Sequence, residues 1–425
     1  MKKIQLLGMI TFILMSLSLI FCTNPANSTL APPSLMLDLD EYNYNPAADA
    51  GKPRYENIPY SDEAASLILD FYPVYSSRPT PLVIFAHANG RTYRNCMDEP
   101  QSGDVRLLRF LDDGYSVASI EFRHPSQGGP QPGIDISRAV QFFKYNAAKF
   151  NVNPDKIVLV GRSLGSIGLY SSLAPDMADP GNANPVLRMS TKVAGIFQGN
   201  AQTTWNLAWW NENIRAVPNA INTDLQTNAI DVVTADAPPL LLTYEYSESL
   251  INTKAPASPA GAVNHHPLFG KTFFDAANTA GAKDVTVLYN NGVFDEALND
   301  PQAKVHMFDE MRPWVNSVLC DYYLNSVTNG DEQSQVDFMI KNADGAGYSV
   351  FISNTRIEDP LKYAGDRYNR EYVSPYKKYN DVTFSTSGVT INGLTNGNTY
   401  YAYVIYSPQF GVFERSNVIK LNPSN

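Results

Sequence analysis

The feature that most constrains this chain is an alternation that begins near residue 55. Apolar, β-rich runs occupy 67–74 (LILDFYPV), 82–87 (LVIFAH) and 115–122 (YSVASIEF), and recur at 156–160, 193–198, 240–246 and 285–290. Several are continuously apolar, as expected of strands covered on both faces of a parallel sheet. Stretches with helical spacing lie between them. The clearest is 134–150, where Ile134, Ala139, Val140, Phe142, Phe143 and Ala147 recur with a 3.6-residue period before Asn153-Pro154. Others fall at about 104–112, 164–173, 266–280 and 306–324. Alternation this regular predicts an α/β fold: an open, mostly parallel sheet with helices on both faces, whose chemistry lies beyond the carboxyl ends of the strands.

After residue 330 the texture changes. Residues 331–425 hold ten of the 25 tyrosines and many Thr, Ser and Asn, with no convincing amphipathic helix. Short strand candidates at 335–341, 347–353, 382–385, 388–392, 399–406 and 416–421 predict a small all-β sandwich over 331–425. The α/β domain is then expected over 55–328, with the boundary near Val327–Asp331.

The N-terminus reads as an export signal. Lys2-Lys3 precede an apolar run from Ile4 to Phe21, too short and too near the start for a membrane span. Cys22 follows Leu19-Ile20-Phe21 and is the candidate lipidation site of a bacterial lipoprotein, although Phe21 stands where a small residue is usual. The expectation is therefore a signal over 1–22, a tether and lead-in over 23–54, and a product secreted or held at the cell envelope by its N-terminal lipid. The formal net charge is −10, and loss of the signal removes Lys2 and Lys3 but no acid, leaving 30 basic against 42 acidic residues, or −12. A chain that neutralises phosphates needs the opposite balance, which excludes nucleic acid as a partner. Five His and three Cys exclude Cys₄ and Cys₂His₂ zinc frameworks. A Cys96–Cys320 disulfide is not expected. Cys96 would lie above the strand ends, and Cys320 about 21 Å down a helix from His306 if that stretch is helical.

The central chemical signal is Val158-Leu159-Val160-Gly161-Arg162-Ser163-Leu164-Gly165-Ser166. A strand, then Gly-x-Ser-x-Gly, then a small-residue helix is a nucleophile elbow: a sharp turn that lifts the Ser163 hydroxyl to the sheet edge. Gly161 and Gly165 are required because a side chain at either would collide with the neighbouring strand and helix. The N–H of Leu164, the residue after the nucleophile, is one oxyanion donor.

The run from Leu67 to Leu173 resembles the α/β-hydrolase superfamily. It looks closest to exported carboxylesterases that include acetyl esterases and feruloyl esterase-like enzymes, through LILDFYPV, PLVIFAHANG, GYSVASIEFRHP and DISRAVQFFKYNAAKFNVNPDKIVLVGRSLGS. Looser similarity continues to about residue 324. The resemblance implies a Ser–acid–His triad in that chain order, with no metal or organic cofactor. It places the acid at Glu248, counted along the turn after Pro238–Leu242, with Asp231 and Asp236 as poorer choices. Tyr244-Glu245 stands there in place of the usual His-Gly. The resemblance also places the base at His306, after the last strand. His87 then has a structural role at the oxyanion loop, His124 lies on another loop, and His265-His266 precede a helix without catalytic duty. The second oxyanion donor is expected at Asn89, or at Gly90, in a loop reading HANG where the family has His-Gly-Gly-Gly.

Two further features bear on function. Trp205, Trp209 and Trp210 suit the core of a short cap helix better than an exposed sugar platform. Gly393–Val404 (GLTNGNTYYAYV) resembles the late-strand corner of a fibronectin type III domain, in which a tyrosine bonds back to upstream backbone. The expectation is a serine esterase acting on short acyl or aryl esters of small molecules or polysaccharides. A serine peptidase or polyester depolymerase of the same fold, and an inactive surface-binding protein, are the rivals.

Overall fold

The computed structural model describes residues 39, 41–46, 52–76, 79–94, 107–125, 130–215, 226–255, 263–289, 311–312, 314–319, 322–331, 333–340, 348–353, 376–379, 389–392, 394–409, 412–415 and 419–424. Nine strands form one sheet: β1 (Asn43–Asn45), β2 (Arg54–Pro59), β3 (Ile68–Tyr72), β4 (Thr80–Ala86), β5 (Ser116–Ile120), β6 (Val152–Arg162), β7 (Gly195–Gly199), β8 (Leu240–Tyr244) and β9 (Val285–Tyr289). Their order is β1-β2-β3-β5-β4-β6-β7-β8-β9. The first three strands run antiparallel to their neighbours. From β5 to β9 every pairing is parallel. All seven apolar runs in the sequence became strands of this sheet.

Both faces of the sheet are covered. The helices between strands are α1 (Arg109–Asp112), α2 (Gln131–Tyr145), α3 (Ile167–Leu173), α4 (Leu207–Asn213), α5 (Ala229–Val232) and α6 (Leu268–Ala280). Alternation along β4 shows the division. Leu82, Ile84 and Ala86 join a core with Ile136 and Val140 of α2, Ile167 of α3 and Phe273 of α6. Val83 and Phe85 face the other way, toward Leu107, Phe110, Met311, Val315 and Leu319. A strand with apolar residues at every position is what two-sided burial demands. The 311–319 stretch is fixed to the turn after α1 by Arg312, whose Nε and Nη2 donate to the fully buried Asp113 carboxylate at 2.6 Å each.

Two of the three clustered tryptophans, Trp205 and Trp210, are core, and Trp209 packs half-buried against the same core. Trp205 and Trp210 are fully buried, 5.6 Å apart between ring centroids, and the Trp210 indole N–H donates to Thr204 O at 2.7 Å.

Beyond residue 320 every described element is a strand, in two antiparallel sheets: β10 (Tyr322–Gly330), β11 (Gln333–Ile340) and β14 (Val389–Asn392), then β12 (Tyr348–Ser353), β13 (Tyr376–Tyr379), β15 (Tyr400–Gln409), β16 (Val412–Arg415) and β17 (Ile419–Leu421). One difference from the sequence reading is local. The helix expected through 324 gives way to a strand at Tyr322, because 322–330 pairs antiparallel with 333–340, with one register shift between Leu324 and Ser326. Tyr322, Tyr323, Val327 and Thr328 favour that extended conformation. The expected strand at 382–385, and Cys22, Cys96 and Cys320, lie outside the described residues.

Candidate active site

The elbow is built as its glycines require. β6 ends at Arg162, Ser163–Ser166 forms one 3₁₀ turn, and α3 follows at Ile167. Ser163 sits at φ +50°, a left-handed conformation that side chains rarely adopt. Such strain persists only where the surroundings over-determine it. A Cβ on Gly165 would lie 2.7 Å from Ala86 C and 2.9 Å from His87 O, inside the end of β4. A Cβ on Gly161 would lie 2.8 Å from Gly165 C and closer still to the Gln198 side chain on β7. The turn is wedged between two strands and has no room for a methyl group at either end.

Two side chains meet Ser163. His265 Nε2 lies 2.9 Å from Ser163 Oγ, and His265 Nδ1 lies 2.6 Å from Glu245 Oε1. A carboxylate only accepts, so the Nδ1–H donates to Glu245 and leaves the Nε2 lone pair to accept the Ser163 proton. Glu245 is buried, with 6% of its side chain exposed, against 15% for His265. Burial acts to raise the Glu245 pKa. The charge and hydrogen bond of His265, the Arg162 guanidinium and the Asn200 hydrogen bond outweigh it and leave the carboxyl below its usual range. The acid is thus anionic where an imidazolium would form. Chain order is Ser163, Glu245, His265.

Glu248, the expected acid, does not reach this row. It is exposed and begins a 3₁₀ turn, Glu248–Leu250, capped by Ser247. The reason is where β8 stops. Asn200 Oδ1 accepts from Glu245 N at 2.9 Å, so the chain leaves the sheet at once and the first carboxylate after the strand takes the acid position. His306, the expected base, lies outside the described residues. His265 takes that place from the crossover between β8 and α6. Its sequence signal was present but unused: the order Ser–acid–His holds equally for Ser163–Glu245–His265. A Glu between two tyrosines at the end of an apolar strand is also a buried carboxylate in need of a partner.

The remaining histidines are placed differently. His87 engages both ring nitrogens, with Ala88 O and Glu121 Oε1 at 2.9 Å each, and stacks on Phe122, which fixes the root of the loop after β4. His124 Nε2 bonds Asn89 Oδ1 at 3.0 Å, and Asn89 Oδ1 also accepts from Gly90 N at 3.0 Å. Asn89 is exposed, on the loop after β4 that packs against Gly165, and Leu164 is buried in the turn beside Ser163. His266 is fully buried, and burial lowers its pKa to about 4. Its Nδ1 accepts from Leu268 N at 3.2 Å at the start of α6.

Ser163, Glu245 and the loop bearing Asn89 all follow the carboxyl ends of parallel strands, with the strained serine on a strand–turn–helix in mid-sheet. The fold is an open, mostly parallel sheet with the strained serine turn at its centre.

Comparison with known proteins agrees in part of the chain. The BD-FAE family model matches residues 69–175, from β3 through the elbow and α3. Endo-1,4-beta-xylanase B of Butyrivibrio fibrisolvens is 33% identical over 94 residues, which is 21% of this chain and 15% of the xylanase. The chain therefore matches only a small part of that curated relative. Among solved structures, an acetyl ester-xyloside bifunctional hydrolase from Caldicellulosiruptor lactoaceticus is 20% identical, with a TM-score of 0.44 over 61% of this chain and 92% of that one. A truncated carbohydrate esterase from gut microbiota is 18% identical, with a TM-score of 0.45 over 62% and 96%. An esterase from the Planctomycetes species Thermogutta terrifontis is 15% identical, with a TM-score of 0.43 over 62% and 94%. The BD-FAE match ends before Glu245 and His265, so the acid and base rest on this chain's own geometry.

Proposed function

We propose that this protein is a serine carboxylesterase in which Ser163 is the nucleophile, His265 the general base and Glu245 the acid that orients it. The observation that carries the reading is the continuous hydrogen-bonded row from Ser163 Oγ through His265 to Glu245. His265 Nε2 removes the Ser163 proton as Oγ attacks the ester carbonyl, and Glu245 stabilises the imidazolium that forms. The N–H groups of Leu164 and Asn89 receive the oxyanion, each worth about 10²–10³ in rate. The imidazolium protonates the departing alcohol, and a water activated by His265 then releases the acid from the acyl-enzyme.

The substrates are short acyl or aryl esters, and the stretch shared with a xylanase supports esters carried on plant polysaccharide. The charged start and apolar run before Cys22 support export, with a lipid on Cys22 and residues 23–34 as a tether. In the C-terminal strands the Tyr400 hydroxyl accepts from Thr395 N at 3.0 Å. That bond supports a fibronectin type III-like spacer, since a tyrosine corner of this kind marks such sandwiches.

The test is hydrolysis of p-nitrophenyl esters from acetate to octanoate by the full chain and by Ser163→Ala, His265→Ala and His306→Ala. Activity on short chains that disappears with Ser163→Ala and His265→Ala and survives His306→Ala is expected. Loss with His306→Ala and not with His265→Ala would move the base to His306. No hydrolysis by the folded protein would reject the esterase.

A further inference from the structure

The loop that leaves β7 bonds Glu245 and the backbone or side chains beside Ser163 and His265 without belonging to the row. Asn200 is buried at φ +54°, a conformation Asn tolerates better than most residues. Its N–H donates to Thr243 O at 2.7 Å and its Oδ1 accepts from Glu245 N at 2.9 Å, which anchors the acid. Two residues on, Gln202 is also buried. Its N–H donates to Ser166 Oγ at 3.0 Å and its Oε1 accepts from that hydroxyl at 3.2 Å, inside the turn that begins with Ser163. Its Nε2 donates to Asn264 O at 2.6 Å, beside His265, and to Asn200 O at 3.3 Å. The orientation of the amide follows from its partners: two carbonyls only accept, so the nitrogen faces them.

We propose that Gln202 is a positioning residue, a strut that bridges the nucleophile turn and the backbone that carries His265. The proposal rests on the Ser163–His265–Glu245 reading. The base needs such a strut because of where it comes from. His265 lies 20 positions past Glu245 on the same crossover, and among the described residues no paired strand ends at it to set its height. One side chain spans the gap between turn and crossover and sets the 2.9 Å separation of Oγ and Nε2. Misplacement of a catalytic group by about 1 Å costs about 10²-fold in rate.

The test compares kcat and KM of the full chain with those of Gln202→Met, Gln202→Glu and His265→Ala on p-nitrophenyl acetate, across pH. Gln202→Met keeps the volume and loses the donors, and it should lower kcat about 10²-fold with KM within about twofold. Gln202→Glu keeps the acceptor for Ser166, but its carboxylate has no proton to give Asn264 O. Its kcat relative to wild type should therefore rise as pH falls and the new carboxyl gains a proton. A role in packing alone would not produce that rise. Should Gln202→Met fail to fold, the pH ratio of Gln202→Glu decides the matter. Wild-type kcat in both Gln202 variants at every pH, or a change confined to KM, overturns the strut while an inactive His265→Ala leaves the triad standing. An active His265→Ala overturns the triad itself, and the strut with it.

Discussion

The turn from β6 into α3 and the crossover from β8 to α6 deliver side chains to one hydrogen-bonded row, and they are built in different ways. At the turn, Ser163 is held by its own neighbours in sequence: Gly161 and Gly165 let the chain pass between β4 and β7, and the five-residue motif specifies the geometry. In the crossover, Glu245 and His265 have no such local code. Glu245 is placed by Asn200 from the loop after the neighbouring strand β7, 45 positions earlier, and the backbone beside His265 by Gln202, 62 positions from Asn264. A serine fixed by sterics and partners fixed by distant hydrogen bonds should therefore respond differently to substitution.

The largest effect tests the shared row. Ser163→Ala and His265→Ala should each reduce kcat/KM by about 10⁶-fold with the fold intact, checked by ester hydrolysis alongside circular dichroism. Next is the acid. Glu245→Gln should cost about 10⁴-fold in kcat, because the amide can no longer stabilise an imidazolium. Glu248→Gln, on the exposed turn, should stay within about twofold, and a reversal of these two effects would undo the assignment of the acid.

A third substitution sharpens the contrast between the two segments. Gly165→Ala puts a methyl group against the backbone of β4, which cannot retreat. It should lower stability by about 3 kcal/mol along with activity, whereas Glu245→Gln should lower activity far more than stability. Thermal melts on both proteins check it. The last effect, on stability alone, concerns the crossover's second histidine. Unfolded His266 gains a proton near pH 6.5, but in the fold its pKa is about 4, so the unfolded state binds the extra proton between those values. Stability should fall by up to about 3 kcal/mol as pH drops from 6.5 to 4. His266→Asn, which keeps an acceptor for Leu268 N, should flatten that slope in denaturant titrations.

Most of the fold was legible because its signals are local and repeated. Apolar runs gave β3 to β9 within a few residues, and the α2 periodicity located that helix. A strand buried on both faces must be apolar throughout, and that shows without knowledge of its neighbours. The hairpin at 322–340 was read partly as helix because its pairing partner, not its own periodicity, makes Tyr322–Gly330 a strand. Among the candidate site residues, Ser163 and its glycines were legible from spacing. His87 was read correctly as structural, from its place at a strand end.

The sequence by itself determined the layered α/β architecture and the strained serine at its centre. Both follow from chain-local physics: periodicity of burial, and the absence of a Cβ where backbones meet. Only the tertiary structure decided which carboxylate and which imidazole complete the row. That choice depends on where β8 leaves the sheet, and the Asn200 side chain from the loop after β7 sets the point at Glu245 instead of Glu248. It also depends on a histidine brought to the serine across 102 positions of chain. Contacts at such separations arise from packing, and the residues adjoining Glu245 mark a buried carboxylate without naming its partner.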